Sequence, residues 1–229
     1  MNQIVHFGKP AAKAARPGGK AAVPTRTNDP VRTMTGILEV ATTEFAEKGL
    51  SGARIDEIAA ATHTSKRMIY YYFGSKEGLY LAVLEESYRR MRQTEGELHL
   101  EDLEPEAALC RLVEFTFDHH WSNPDYIRLV MNENMQRGQY LARSKMIQQL
   151  NVPAIEAIRL LYERGVVQGR FRSGLDPVDI HASISALTFF NVSNQHTFAL
   201  IFKQEGGTRK ALAARRASIV DMVLRFLRH

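Results

Sequence analysis

The chain reads as an all-α protein, and three observations predict it. Apolar residues recur at helical spacing (i, i+3, i+4, i+7) in one stretch after another from Met34 to the C-terminus. No segment alternates polar and apolar residues over a strand's length. The periodic stretches are separated by helix punctuation: Asp29-Pro30, Gly49, Ser122-Asn123-Pro124, Gly138, Asp176-Pro177 and Glu205-Gly206-Gly207. At 229 residues, 45% hydrophobic and 24% charged, the chain can bury a sizeable core as one or two domains. It contains no internal repeat.

Residues 1–33 form a separate segment. They carry six basic residues (Lys9, Lys13, Arg16, Lys20, Arg26, Arg32) against Asp29 alone. The net excess of +5 therefore lies in this tail, and the rest of the chain holds 24 basic and 24 acidic residues. Rich in Ala, Pro and Gly and without hydrophobic periodicity, the tail is expected to be disordered. It reads either as a basic arm that tracks phosphates or enters a minor groove, or as an inert extension. Asp29-Pro30 can cap and open the first helix. In that helix Met34, Ile37, Leu38, Ala41 and Phe45 line one face up to Gly49.

Arg54 to Tyr80 reads as two short helices joined by a tight turn, followed by the start of a longer one. Ile55, Ile58 and Ala59 mark the first. Thr62-His63-Thr64 breaks the pattern, and His63 stands where the turn needs a residue tolerant of positive φ. Ser65 is placed to cap the next helix. At about 100° per residue, Ile69 and Phe73 share its inner face. Arg67, Met68 and Tyr71 fall opposite, with Lys66 and Tyr70 flanking. A helix with an apolar back and an Arg, Lys and Tyr front suits a DNA major groove, where cations reach guanine edges or phosphates and aromatic edges press on bases. Ser75 caps a third helix, and Lys76 near its positive end asks for an external anion.

Phe45 to Gly49 as F-x-x-x-G, Asp56 to Ala59 as D-E-I-A, and Ser65 to Tyr80 as SKRMIYYYFGSKEGLY resemble the N-terminal domain of TetR-type transcriptional regulators. The resemblance spans 47 residues, Met34 to Tyr80, in order and in spacing. It implies an all-helical homodimeric repressor with three N-terminal DNA-binding helices and a larger C-terminal domain for a small effector. Carried over residue by residue, it implies that Lys66, Arg67, Met68, Tyr70 and Tyr71 face bases, while Tyr72 and Lys76 hold phosphates. Thr64 and Ser65 belong to the same DNA-facing turn. Two positions depart from the family pattern. The turn carries His63 and Thr64 in place of Gly and a small apolar residue. Arg54 stands where Ser or Thr commonly caps, which suggests a phosphate contact in place of a capping bond.

Beyond Lys76 a long helix with Leu79, Val83, Leu84, Tyr88 and Met91 runs to Gly96 and links the DNA-binding head to the C-terminal part of the chain. The boundary is set near residue 82, giving a tail (1–33), a head (34–81) and a helical effector-binding and dimerisation domain (82–229). Further helices are expected over Glu106 to Trp121, Asp125 to Arg137 and Tyr140 to Gly165, the last kinked at Pro153. The glycine-rich run Gly165 to Leu175 reads as loop. Two more helices are expected, from Asp176-Pro177 to about Phe202 and from Thr208 to Arg228. The first of these carries Ile180, Ile184, Leu187, Phe190, Phe198 and Ile201, the second Leu212, Ile219, Val220, Val223 and Leu227. Those stripes predict a homodimer through the two C-terminal helices, since two heads on symmetric half-sites multiply specificity; closing the monomer's own core is the competing reading.

Catalytic and metal motifs are absent: no H-E-x-x-H, paired cysteines, G-x-S-x-G or glycine-rich phosphate loop. His119-His120 are adjacent and diverge on a helix. Neither enzyme activity, cofactor nor metal is expected. The single Cys110 excludes an internal disulfide framework and fits a reducing cytoplasm. No apolar run is long enough to span a membrane and the N-terminus lacks a signal-peptide pattern, so a cytoplasmic protein without membrane partner is expected. Phe115, His119, Tyr126, Asn134, Tyr162, Phe190 and Asn194 are the candidates for an effector pocket that mixes apolar walls with a few polar groups. The function expected is a ligand-responsive dimeric repressor on a palindromic operator, read by the helix Ser65–Phe73 and released by a small effector. The alternatives are an architectural DNA-binding protein dominated by its basic tail, and a helical ligand-binding protein or enzyme with a vestigial head.

Overall fold

A computed structural model describes residues 29–203 and 207–228. The expectations for the basic arm therefore lie outside the described residues up to residue 28, as does the break at Glu205-Gly206. Among the described residues there are ten α-helices, two 3-10 turns and no strand. The all-α class is borne out.

Helix α1 spans Pro30–Gly52. The Asp29 carboxylate accepts from the Val31 and Arg32 amides at 3.0 and 3.4 Å, and Pro30 occupies the first turn, where no amide is needed. Residues 30–33, grouped with the tail on composition, are thus helical. Gly49, at φ 65° and ψ 174°, interrupts α1 where the sequence predicted its end, and one more short turn carries on to Gly52. Helices α2 (Ile55–Ala61) and α3 (Lys66–Phe73) come next, then α4 (Lys76–Gly96). A 3-10 turn at Leu100–Asp102 leads to α5 (Pro105–Ser122) and α6 (Pro124–Met135).

The helix expected from Tyr140 begins later. Leu141–Arg143 form a 3-10 turn, and Ser144 caps α7 (Lys145–Val167) by accepting from the Ile147 amide at 3.1 Å. Gly165 lies inside α7 rather than in the following loop. Its missing side chain lets the buried Phe171 ring sit where a Cβ would come within 2.0 Å of it. The helix expected from Asp176 to Phe202 is two helices, α8 (Pro177–Ser193) and α9 (Gln195–Phe202), separated at Asn194 (φ −109°, ψ 3°). Helix α10 spans Arg209–Leu227.

Two cores result. The first gathers Ile37, Ala41 and Phe45 of α1, Ile55 and Ile58 of α2, Ile69 of α3 and Leu79, Tyr80, Val83 and Leu84 of α4, and it also takes in Leu129 of α6 and Ile147 of α7. The second is built by α5, α7, α8 and α10 around Leu109, Leu112, Phe117, Leu161, Ile184 and Ile219. The head is therefore seated on the later helices through shared apolar contacts. Tyr80 stands at this junction, edge-on to Phe45 at 5.1 Å on one side and to Tyr140 at 5.4 Å on the other.

Candidate nucleic-acid interface and ligand cavity

The α2–α3 turn is set by local chemistry. His63 adopts φ 52°, the left-handed conformation expected of it. Thr64 is half-buried, and its hydroxyl donates to the Thr62 carbonyl at 3.4 Å. The Ser65 hydroxyl then accepts from the Met68 amide at 3.2 Å, which fixes the start of α3. Ile69 is fully buried and anchors that helix to the head.

On the outer side Lys66, Arg67, Tyr70 and Tyr71 are exposed, with Tyr71 77% accessible. Met68 and Tyr72 are half-buried, and the Tyr72 ring meets Tyr71 and Phe73 edge-on at 5.3 and 6.2 Å. At the far end, Gly74 turns the chain at φ 75° and Ser75 caps α4 by accepting from the Gly78 amide at 3.0 Å. Gly78 is required there, since a Cβ would lie 2.0 Å from the Phe73 carbonyl oxygen.

Ion pairs shape this surface. Arg54 makes no side-chain capping bond, and the gap is filled from α1: the Glu44 carboxylate accepts from the Arg54 amide at 2.9 Å while also holding Lys48 at 2.8 Å. Those contacts with Lys48 and the Arg54 amide outweigh desolvation and hold the Glu44 carboxyl below its ordinary value. The Arg54 guanidinium is left largely in solvent, 4.0 Å from Asp56. The Lys66 ammonium is ion-paired with the same Asp56. Lys76 folds back to donate to the Ser51 carbonyl at 3.3 Å, so the cation expected to await an outside anion already has an internal acceptor.

A cavity of about 430 Å³ opens between α4, α5, α6, α7 and α8. Its walls are largely apolar and aromatic, with Tyr88 and Tyr126 edge-on at 5.5 Å and His120 stacked on Tyr126 at 6.2 Å. Its polar end is centred on Arg92, which pairs with Glu95, donates to the Asn151 side-chain oxygen at 2.9 Å and lies 3.5 Å from His181 Nε2. A guanidinium can only donate, so this contact is a hydrogen bond in the tautomer whose Nε2 carries no proton. Burial first and Arg92 next lower the His181 pKa; burial lowers that of His120 to about 4. The buried Nδ1 atoms of His119 and His120 have no hydrogen-bond partner.

Of the sequence candidates for this pocket, Tyr126 lines it. His119 sits behind, edge-on to Tyr126 at 5.8 Å, with Phe115 against it at 5.7 Å. Asn134 is exposed and spends its amide on the Val130 carbonyl. Tyr162 is a buried clamp, donating to the Arg172 carbonyl and accepting from the Leu175 amide, both at 2.9 Å. Phe190 and Asn194 line a second, more open groove with Trp121, Phe198 and Arg215. Sequence reasoning missed Arg92, Glu95, Asn151 and His181. They lie on three helices, and only Arg92 and Glu95, three apart on α4, carried a local signal. Among the described residues the one cluster with metal-ligand composition is His99, Glu101 and Asp102, all exposed.

Comparison with known proteins yields two family matches. Residues 37–83 match the model for bacterial regulatory proteins of the tetR family. Residues 105–223 match a tetracyclin repressor-like C-terminal domain. The chain is similar to the HTH-type transcriptional repressor NicS of Pseudomonas putida, 34% identical over 197 residues that cover 86% of this chain and 93% of the relative. The transcriptional regulator SCO4942 of Streptomyces coelicolor superposes with a TM-score of 0.64 at 27% identity, over 85% of this chain and 98% of that one. A tetR-family regulatory protein from Rhodococcus RHA1 shares the fold, with a TM-score of 0.68 at 19% identity over 86% of this chain and 97% of that one.

Proposed function

The chain belongs to the tetR family of bacterial regulatory proteins and is a helix-turn-helix transcriptional regulator, and from that premise we propose that it is a homodimeric repressor whose two heads occupy a palindromic operator and let go when a small effector fills the cavity. The head comprises residues 34–81, and residues 82–229 bind effector and partner. Arg67, Tyr70 and Tyr71 read base edges, Lys66 joins them, and Arg54 and Tyr72 hold flanking phosphates. Thr64, Ser65 and Met68 shape the surface between them. Lys76 is the weakest of the phosphate contacts, because it must first leave the Ser51 carbonyl.

The observation that carries this reading is the division of labour on α3. Ile69 is fully buried while Arg67 and Tyr71 stand in solvent on the opposite side and Tyr70 is exposed on the flank. A folded helix that keeps a cation and two tyrosines away from its own core has them free for a groove.

The stripes of α8 and α10 expected at the interface, Ile180, Ile184, Ile219, Val223 and Leu227, instead close the monomer's own core, so the dimer is supported by α9 and by the exposed Phe190 that packs on its Phe198. Helix α9 buries none of its residues, yet Phe198, Leu200, Ile201 and Phe202 are exposed around its circumference. A helix apolar all round belongs inside an interface.

The effector is compact and partly polar, with a flat apolar face for Tyr126, His120 and Phe189 and a hydrogen-bonding edge for the Arg92 cluster. It acts by preferring one spacing of the heads, and its effect on operator affinity is bounded by its differential affinity for the two states.

Selection of bound duplexes from a random DNA library tests the reading. The expected result is an enriched palindrome bound at least ~10³-fold more tightly than scrambled DNA. Equal binding to both, with no enriched sequence, would sink it and favour the architectural alternative driven by the basic tail.

A further inference from the structure

Asp56 occupies an unusual position for a carboxylate on a surface that meets DNA. It sits in the first turn of α2, exposed, ion-paired with Lys66 at the first position of α3 and 4.0 Å from the Arg54 guanidinium. Lys66 is the cation it holds closely; the Arg54 guanidinium, at the edge of ion-pair distance, stays largely in solvent. Arg67 has no ion-pair partner among the described residues. The other acidic groups nearby, Glu44 and Glu57, are held by Lys48 and do not touch the recognition helix.

We infer that Asp56 is a specificity-determining residue: an internal competitor that keeps Lys66 from any phosphate that cannot draw it away. The inference rests on the DNA-binding reading above. Non-specific binding is driven by cations that shed counterions onto phosphates wherever they meet them. A Lys66 that stays on Asp56 releases no counterion and adds nothing to that term. An operator that holds an acceptor at the right place pulls Lys66 across and compensates the modest, solvent-exposed ion pair it breaks, whereas a phosphate met at arbitrary register does not. The carboxylate therefore penalises arbitrary DNA more than the cognate site.

The experiment measures affinity of the full-length protein for a scrambled duplex and for the selected operator over a range of salt. Asp56→Asn is expected to steepen the slope of log K against log salt on scrambled DNA by about 0.9, one released counterion, and to tighten that binding roughly five- to tenfold near ~0.1 M salt. Operator affinity is expected to rise less, so the specificity ratio falls. Glu163→Gln, which makes the same net charge change at an exposed site on α7, controls for overall charge. Asp56→Ser is a second variant in case the amide alters the start of α2. In a Lys66→Ala background the Asp56 substitutions are expected to leave the slope unmoved.

An unchanged slope in both Asp56 variants overturns the inference, as does a steeper slope that persists without Lys66. Equal tightening on both duplexes also overturns it. Should no operator emerge from selection, the repressor reading fails separately, and the scrambled-duplex arm still decides the role of Asp56.

Discussion

A neutral imidazole buried against apolar and aromatic groups resists protonation, and His120 is such a group. It is 5% exposed, and its pKa is depressed to about 4 by burial first, then by His119, Arg92 and His181. In the unfolded chain it titrates near 6.5. Between those values the unfolded state binds more protons, so stability rises with pH across that window. The contribution is fully present above pH 6.5 and is lost as pH falls toward about 4. We expect urea unfolding at pH 5 to show a loss of up to ~1.4 kcal/mol per pH unit from this residue alone. The drop should shrink in His120→Gln; an identical pH profile in the variant would refute the assignment. His63 and Arg54 illustrate what single positions disclose in sequence. The positive φ at His63 was legible because residue type and turn geometry are local. The substitute for the missing Arg54 cap was not, since Glu44 arrives from another helix ten residues away.

Among the elements, the α3–α4 corner sets the angle at which the recognition helix is presented, and Gly78 is its keystone. Its hydrogen lies against the Phe73 carbonyl, where a Cβ would approach to 2.0 Å, and backbone cannot swing aside as a side-chain tip can. Gly78→Ala should cost ~2–3 kcal/mol in chemical denaturation and weaken operator binding beyond that loss, because the refolded corner re-aims α3. Wild-type stability with wild-type binding would contradict the packing described. Helix existence was legible nearly throughout, because the 3.6-residue period is a local property. Element ends were less so. The continuous apolar pattern from Ile180 to Phe202 hid the break at Asn194, where no glycine or proline announces it. Gly165 looked like loop because a glycine's helical role, making room for Phe171, depends on a residue that the helix alone does not contain.

For the molecule as a whole, the 3-10 turn between α6 and α7 connects cavity and head. The Glu133 carboxylate, 2% exposed, accepts from the Tyr140 and Leu141 amides at 3.2 and 2.9 Å. Leu141 lines the cavity, and Tyr140 packs on Tyr80 of the head. Ser144 adds a tie to α4, donating to Glu85 at 2.6 Å. Burial first, then the charge of the Glu133 carboxylate and a hydrogen bond with it, raise the Tyr80 pKa strongly, and the Tyr80 hydroxyl and Glu133 Oε1 are both buried with no other polar partner. Neighbouring substitutions should therefore differ in the size of their effect. Glu133→Ala strands two backbone amides and should cost ~2–3 kcal/mol, with faster hydrogen exchange at Tyr140 and Leu141. Tyr80→Phe leaves Glu133 Oε1 without its polar neighbour but strands no backbone amide, and should cost less, ~1 kcal/mol. Equal losses in both would show that the turn is held by packing alone. The exposed α3 face proposed to read DNA is one contiguous stretch of sequence, whereas the cavity is assembled from five helices and most of its polar residues carried no periodic mark.

The head's core is completed by Leu129 and Ile147, which arrive from far along the chain. The head is therefore not an interchangeable cartridge. A chimera that grafts residues 34–81 onto a relative's C-terminal half would inherit a socket cut for other side chains, and a head expressed by itself would lack two of its floor residues. Exchange of operator preference between such proteins would have to proceed by replacing outward-facing residues of α3, one groove contact at a time, with the apolar underside left in place.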